Sequence, residues 1–353
     1  ETADEAPTTA AIGDDHADRI REALKQAQAD EEEVEVEVVE VEAASEDAAE
    51  DAPSGQSASE YLWAHLRCAA CHQFGLEEIE SAAQCGNCGR RFAIEDGVID
   101  IVGGAVTPRS PAQRLMEFDP YINVYENVGR PLLTRAVTPR SMEEAYALNT
   151  DLMELRPGLK VLDVACGPGN FTRRFADAMR GDEGSLVVGL DMSMAMLRQA
   201  QAEQRNSGEE GTFYMRADAN HLPFADGTMD RVHCSGALHL MPNPHNALRE
   251  FVRVTRPGGL IIISAFERSA SLADMLPKLS GPMALLLLPV LPAYFAVSTG
   301  ATVADKVKDF SLKRIGIQWL DQGELRDLVQ ELGTEIETES QEGMEITIRA
   351  RRI

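Results

Sequence analysis

A chain of 353 residues accommodates one large domain plus a small one, and its 44% apolar content permits a full core. The formal charge of -25 is unevenly spread: residues 1–60 hold 20 acidic against 3 basic residues, leaving 38 against 30 for the rest. The folded part is therefore only mildly acidic and offers no strongly basic surface. The longest apolar run, 282–297, is 16 residues interrupted by Pro282, Pro289 and Pro292, which excludes it as a spanning helix.

No basic-then-apolar signal peptide opens the chain, and a start at Glu1 rather than Met is consistent with removal of a preceding piece. Residues 1–59 are expected to form a disordered acidic tail. Their Glu/Val alternation mimics a strand, but one face would be wholly Glu and self-repelling. A segment for binding a basic partner is the alternative reading.

Residues 60–107 form a compact cysteine unit. Cys68 and Cys71, a gap of thirteen residues, then Cys85 and Cys88 have the spacing of a zinc ribbon, with each CxxC aiming two thiolates at one ion. Four thiolates leave no open coordination position, so the expected Zn2+ is structural. A segment this short with few large apolar residues needs such a staple. A closing strand pair is expected over 92–102, turning at Glu95-Asp96-Gly97. The remaining cysteines, Cys166 and Cys234, lie in apolar strand-like runs, which suits a reducing, cytoplasmic setting.

After a TPRSP linker at 107–111, residues 112–353 alternate strands with helices. Strands are expected at 160–164, 186–190, 212–216, 231–235 and 260–265, with helices near 171–179, 193–204 and 245–254. That alternation argues an α/β domain with a doubly wound, mostly parallel sheet.

The strand Val161-Leu-Asp-Val runs into Ala-Cys-Gly-Pro-Gly-Asn, where Gly167 and Gly169 allow close backbone approach at a helix N-terminus. The next strand ends at Asp191, 24 residues after Gly167, placing a carboxylate where it can take ribose hydroxyls. Arg216-Ala-Asp218, the strand RVHCSGALHLM and the turn Arg256-Pro-Gly-Gly259 follow in order.

This set resembles the class I S-adenosylmethionine-dependent methyltransferases over about residues 115–353. It is most similar to the small-molecule branch containing the ubiquinone/menaquinone C-methyltransferases. The resemblance implies a Rossmann-like seven-stranded sheet with an antiparallel last strand near 345–350. It also implies that Asp163, Gly167, Gly169 and Asn170 surround the methionine part of S-adenosylmethionine. Asp191 would hold the ribose, Met192 would pack on the adenine, and Asp218 and Ala219 would reach its edge. Ser235 would lie beneath the cofactor. Ala165 departs from the family, which usually has Gly there.

For the chemistry itself, His239 stands just beyond the fourth strand as a candidate base or hydrogen-bond donor, and Tyr125 with Tyr121 resembles a capping helix. His221, His233 and His245 are read as structural. Residues 267–311 interrupt the domain as an expected lid, and the apolar stretch within it suits a small hydrophobic acceptor such as a quinone, lipid or polyketide. Peripheral membrane contact is a further possibility on the same grounds.

Two other readings remain open at this stage. Ribosomal RNA methyltransferases also carry a ribbon before a similar domain, but 61–107 has six acidic and three basic residues, and the cluster Arg349, Arg351 and Arg352 is small. A non-catalytic cofactor-binding scaffold is the other. Oligomeric state is not legible.

Overall fold

The computed structural model describes residues 56–102, 117, 122, 126, 130, 131, 134, 138, 140–182, 184–207, 211–266, 320–343 and 345–353. The expected tail through residue 55, Tyr121, Tyr125 and the expected lid at 267–311 lie outside the described residues.

The first helix, α1 (Ala58–His65), begins just inside the segment expected as tail. A capping box sets its start: Ser57 Oγ accepts from the Glu60 N–H at 3.3 Å, and Glu60 Oε2 accepts from the Ser57 N–H at 2.9 Å. Four short strands follow as an antiparallel meander: β1 (Leu76–Ile79), β2 (Ala82–Cys85), β3 (Arg91–Glu95) and β4 (Val98–Asp100). Asp96 and Gly97 join the last two at φ +56° and +86°, the left-handed pair that a two-residue hairpin turn requires.

Beyond α2 (Met142–Leu152), strands and helices alternate as β5 (Lys160–Val164), α3 (Asn170–Ala178), β6 (Leu186–Asp191), α4 (Met194–Ser207), β7 (Thr212–Arg216) and β8 (Met229–Ser235). They continue with α5 (Pro244–Val254), β9 (Thr255–Phe266), α6 (Gln322–Glu331), β10 (Thr334–Glu342) and β11 (Glu345–Arg352). Helix α5 shows why these segments fold as they do. Asn243 caps it, Pro244 opens it, and Ala247, Leu248, Phe251 and Val254 line one face at helical spacing and are buried. Truncating the fully buried Phe251 to Ala would cost roughly 3–5 kcal/mol.

The seven strands from β5 onward run in the order β7-β6-β5-β8-β9-β11-β10. Strands β7, β6, β5, β8 and β9 pair in parallel, and β11 is antiparallel to β9 and β10, as expected. The ribbon does more than precede this sheet. Strand β4 pairs in parallel with β7, Val98 opposite Tyr214 and Asp100 opposite Arg216, so one sheet of eleven strands runs from β1 to β10. Its core is continuous as well: Leu62, Leu66 and Phe92 share a buried cluster with Leu162, Met215 and Phe224.

The expected turn at Arg256–Gly259 is absorbed into β9. Pairing jumps from Met229–Thr255 to Arg231–Leu260, leaving the glycines in a bulge with Gly258 at φ +73°. Because β5 pairs with both β6 and β8, the strand order reverses there, and a crevice opens at the carboxyl ends of these strands.

Candidate functional site

The crevice begins where β5 stops. Ala165 leaves the strand at φ +56°, a left-handed conformation that costs a residue with a Cβ roughly 1–2 kcal/mol. A Gly, which the resemblance leads one to expect there, would adopt this conformation without that cost. The Cys166 N–H then donates to the Leu190 carbonyl at 3.1 Å, tying the loop to β6. Gly169, at φ +75°, caps α3, and its lack of a side chain is required: a Cβ there would fall 2.5 Å from Tyr214 Oη. Tyr214 is fully buried, with its ring also against Gly189, where an added Cβ would stand 2.8 Å away.

Asp191, the last residue of β6, faces the loop. Its Oδ2 accepts from the Gly167 N–H at 2.9 Å and its Oδ1 from the Ser193 N–H at 2.8 Å. Loss of solvent around this carboxyl raises its pKa, against the pull of those backbone donors. The carboxylate is thus fixed in orientation at the cavity wall, with lone pairs remaining for further donors.

Beneath the loop lies a buried polar network. Asp163 Oδ2 accepts from Thr172 Oγ1 at 2.6 Å, and its Oδ1 lies 2.7 Å from His233 Nδ1. His233 Nε2 in turn lies 3.2 Å from Asn149 Oδ1, and the imidazole packs on Phe171 and Phe175. Asp163 and His233 face each other across adjacent strands.

A cavity of about 210 Å³ occupies the crevice. Of the expected cofactor residues, Asp163, Gly167, Asp191, Met192, Asp218, Ala219 and Ser235 all line it. Gly169 and Asn170 do not. Gly169 acts through the turn and the fit to Tyr214, while Asn170 Nδ2 donates to Glu126 Oε2 at 3.2 Å, and it is Glu126 that reaches the cavity. Asp218 Oδ1 accepts from the backbone and side-chain nitrogens of Asn220 at 2.9 and 3.2 Å.

His239 stands outside the lining. It is buried, and burial lowers its pKa to about 4, so the imidazole is neutral near pH 7. Phe266, which does line the cavity, packs against it at 5.0 Å. The residue expected as base or donor thus meets the cavity through Phe266. Tyr125 lies outside the described residues.

Four titratable lining residues escaped the sequence reading: Glu126, Arg130, His233 and Glu345. His233 looked structural because its contact with Asp163 depends on strand register. Glu345, at the start of β11, is paired with Phe266, and burial raises its pKa despite Arg140 Nη1 at 3.8 Å.

The ribbon cysteines come together as spaced. Cys68 Sγ and Cys88 Sγ are 3.7 Å apart, as are Cys71 Sγ and Cys85 Sγ, and all four lie within 4.8 Å of one another. Four thiolates bonded at about 2.3 Å to a tetrahedral ion would stand about 3.8 Å apart, so the donor set is compatible with one zinc. The Gln73 N–H holds the Cys71 thiol down at about 7, readying it as a thiolate.

Residues 162–263 match a family model described as a methyltransferase domain. An uncharacterized chloroplastic methyltransferase of Arabidopsis thaliana is 33% identical over 200 residues, covering 53% of this chain and 55% of that protein. The ubiquinone/menaquinone biosynthesis C-methyltransferase UbiE of Haemophilus ducreyi is 37% identical over 119 residues, covering 33% of this chain and 45% of its own. The chain thus spans about half the length of these relatives. Among solved structures, a SAM-dependent methyltransferase of Aquifex aeolicus aligns at a TM-score of 0.44 and 16% identity, covering 67% of this chain and all of that one.

Proposed function

We propose that the chain transfers a methyl group from S-adenosylmethionine to a small, apolar acceptor. The observation that carries the reading is the cavity at the β5–β6–β8 edge, with an oriented carboxylate at Asp191 and a glycine loop beside it. A ribose needs two acceptors for its hydroxyls, and Asp191 supplies both from one rigid group. Asp218, Ala219 and Met192 would hold the adenine side, and Gly167 with Ser235 the methionine side. The cofactor, when bound, supplies an already activated methyl on a sulfonium. The residues therefore need chiefly to align the acceptor and exclude water.

The remainder of the wall suits that task. Phe266, Leu240, Met241, Pro242 and Met142 give it an apolar face. A proton released by a carbon or oxygen acceptor has a fitting recipient in Glu345, whose buried carboxyl is held above the ordinary carboxylate range. Several relatives are ubiquinone/menaquinone or demethylmenaquinone methyltransferases by name, which agrees with an apolar acceptor.

An RNA substrate fits less well. Arg349 and Arg351 are paired with Glu337, and Arg352 donates to backbone carbonyls, so this cluster is spent internally. No helix among the described residues is long and apolar enough to cross a membrane. The zinc is assigned a structural role in the ribbon.

Calorimetric titration with S-adenosylmethionine and S-adenosylhomocysteine tests the reading, with Asp191→Ala as the control. Binding by the wild type and its loss in the variant are expected. A folded, metal-loaded protein that takes up neither ligand would refute it.

A further inference from the structure

The ribbon touches the cofactor side of the domain by two routes. The first is through packing. Val98 of β4 is fully buried, pairs with Tyr214, and shares one cluster with Tyr214, Cys166 and Met194. Since the Tyr214 ring rests against Gly169, the strand that closes the ribbon also backs the glycine loop.

The second route is polar and more directional. Asp100 Oδ2 accepts from Arg216 Nη1 at 2.9 Å, and Arg216 Nε donates to the Met192 carbonyl at 3.0 Å. Met192 is the lining residue that follows Asp191, and the N–H after it, on Ser193, is one of the two donors orienting the Asp191 carboxylate. One guanidinium therefore spans from a ribbon carboxylate to the backbone turn that shapes the ribose and adenine wall. Both side chains are about four-fifths covered, at 20% and 22% exposure, so water competes weakly for the pair.

We propose that Asp100 is a positioning residue for the cofactor site, and that the four-cysteine metal and S-adenosylmethionine consequently bind with positive linkage. The proposal rests on the cofactor reading above. Without Asp100 the Arg216 guanidinium loses the partner that fixes its plane, and the Met192 carbonyl loses an oriented donor. The Met192–Ser193 turn then has to be ordered at the moment of binding, which weakens affinity. Metal acts at the same point. A ribbon with few large apolar residues relies on its ion to hold β4 in register, and β4 carries Asp100. Whatever the metal contributes to cofactor affinity, the cofactor must return to the metal.

The test uses the full, zinc-loaded chain. S-adenosylhomocysteine is titrated into wild type, Asp100→Asn, Arg216→Met and the double variant. Each single variant is expected to bind ~5-fold more weakly, the low end of common coupling strengths, and the double variant no more weakly than the worse single. Separately, the extent of zinc release to a competing chromophoric chelator at equilibrium is measured with and without saturating S-adenosylhomocysteine. Saturation reduces release from the wild type and leaves that from Asp100→Asn unchanged. A residue that only stabilised the fold would shift the melting temperature but leave this ligand dependence intact. Wild-type affinity in Asp100→Asn, or wild-type zinc release indifferent to the ligand, would overturn the proposal. A wild type that binds no S-adenosylhomocysteine would instead sink the methyltransferase reading, and this linkage with it.

Discussion

Replacing His239 with Gln should flatten the acid limb of the protein's stability curve. In the unfolded chain the imidazole takes a proton as pH falls through its ordinary value of 6.5, whereas in the fold, burial delays protonation until about 4. Between these values the unfolded state binds the extra proton, so the native state loses ground as the solution is acidified. Integrating one group with these two pKa values gives a loss of about 2 kcal/mol from pH 7 to pH 5. Gln keeps a polar side chain beside Phe266 but cannot titrate, so the variant lacks this component. Urea unfolding at half-unit steps from pH 7.5 to 4.5 measures it as the difference between the two curves. Parallel curves across that window would show that the buried imidazole is not the group responsible.

Other expectations follow from the same contacts. Gly169→Ala forces a Cβ to 2.5 Å from Tyr214 Oη at a left-handed φ, and should destabilise by roughly 2–4 kcal/mol by combined overpacking and backbone strain. Adding Tyr214→Phe, which deletes the clashing oxygen, should recover part of that loss in thermal melts, and no recovery would place the strain elsewhere. Cys85→Ser should abolish stoichiometric zinc, read by atomic spectroscopy, and lower the melting temperature; chelating the wild type should reproduce the same drop. Full zinc retention by the variant would mean that Cys85 is not a ligand.

The central domain was legible because its elements are local. Each strand from β5 to β9 contains an apolar run that burial on both faces demands, and each expected helix carries its own apolar face. The cofactor loop was legible for a related reason: positive-φ glycines and a strand-end acid recur at spacings fixed by the backbone. Contacts set by register or by distant pairing were not. Nothing in the two short segments reveals that Asp163 faces His233, because that requires knowing which strands are neighbours. Likewise, Asp100 and Arg216 are separated by 116 residues. One local signal was in plain view and passed over. Ser57 and Glu60 spell a capping box, which starts α1 at Ala58, one residue before the expected end of the tail. His239, a reactive residue type at the expected edge of the sheet, lies behind Phe266, which does line the cavity, and that placement too depends on distant packing.

The parallel pairing of β4 with β7 also bears on how the chain is made. The ribbon is synthesised first and could take up the proposed zinc at once, since its meander is built from neighbours in sequence. Its outer strand must then wait for more than a hundred further residues before the partner edge exists. Until they meet, both strands present open rows of backbone donors and acceptors, the template on which one chain pairs with another. A cell short of zinc would prolong that interval, because a loose β4 cannot close the edge of β7. Metal supply would then govern yield and aggregation during synthesis, before the finished protein acts at all.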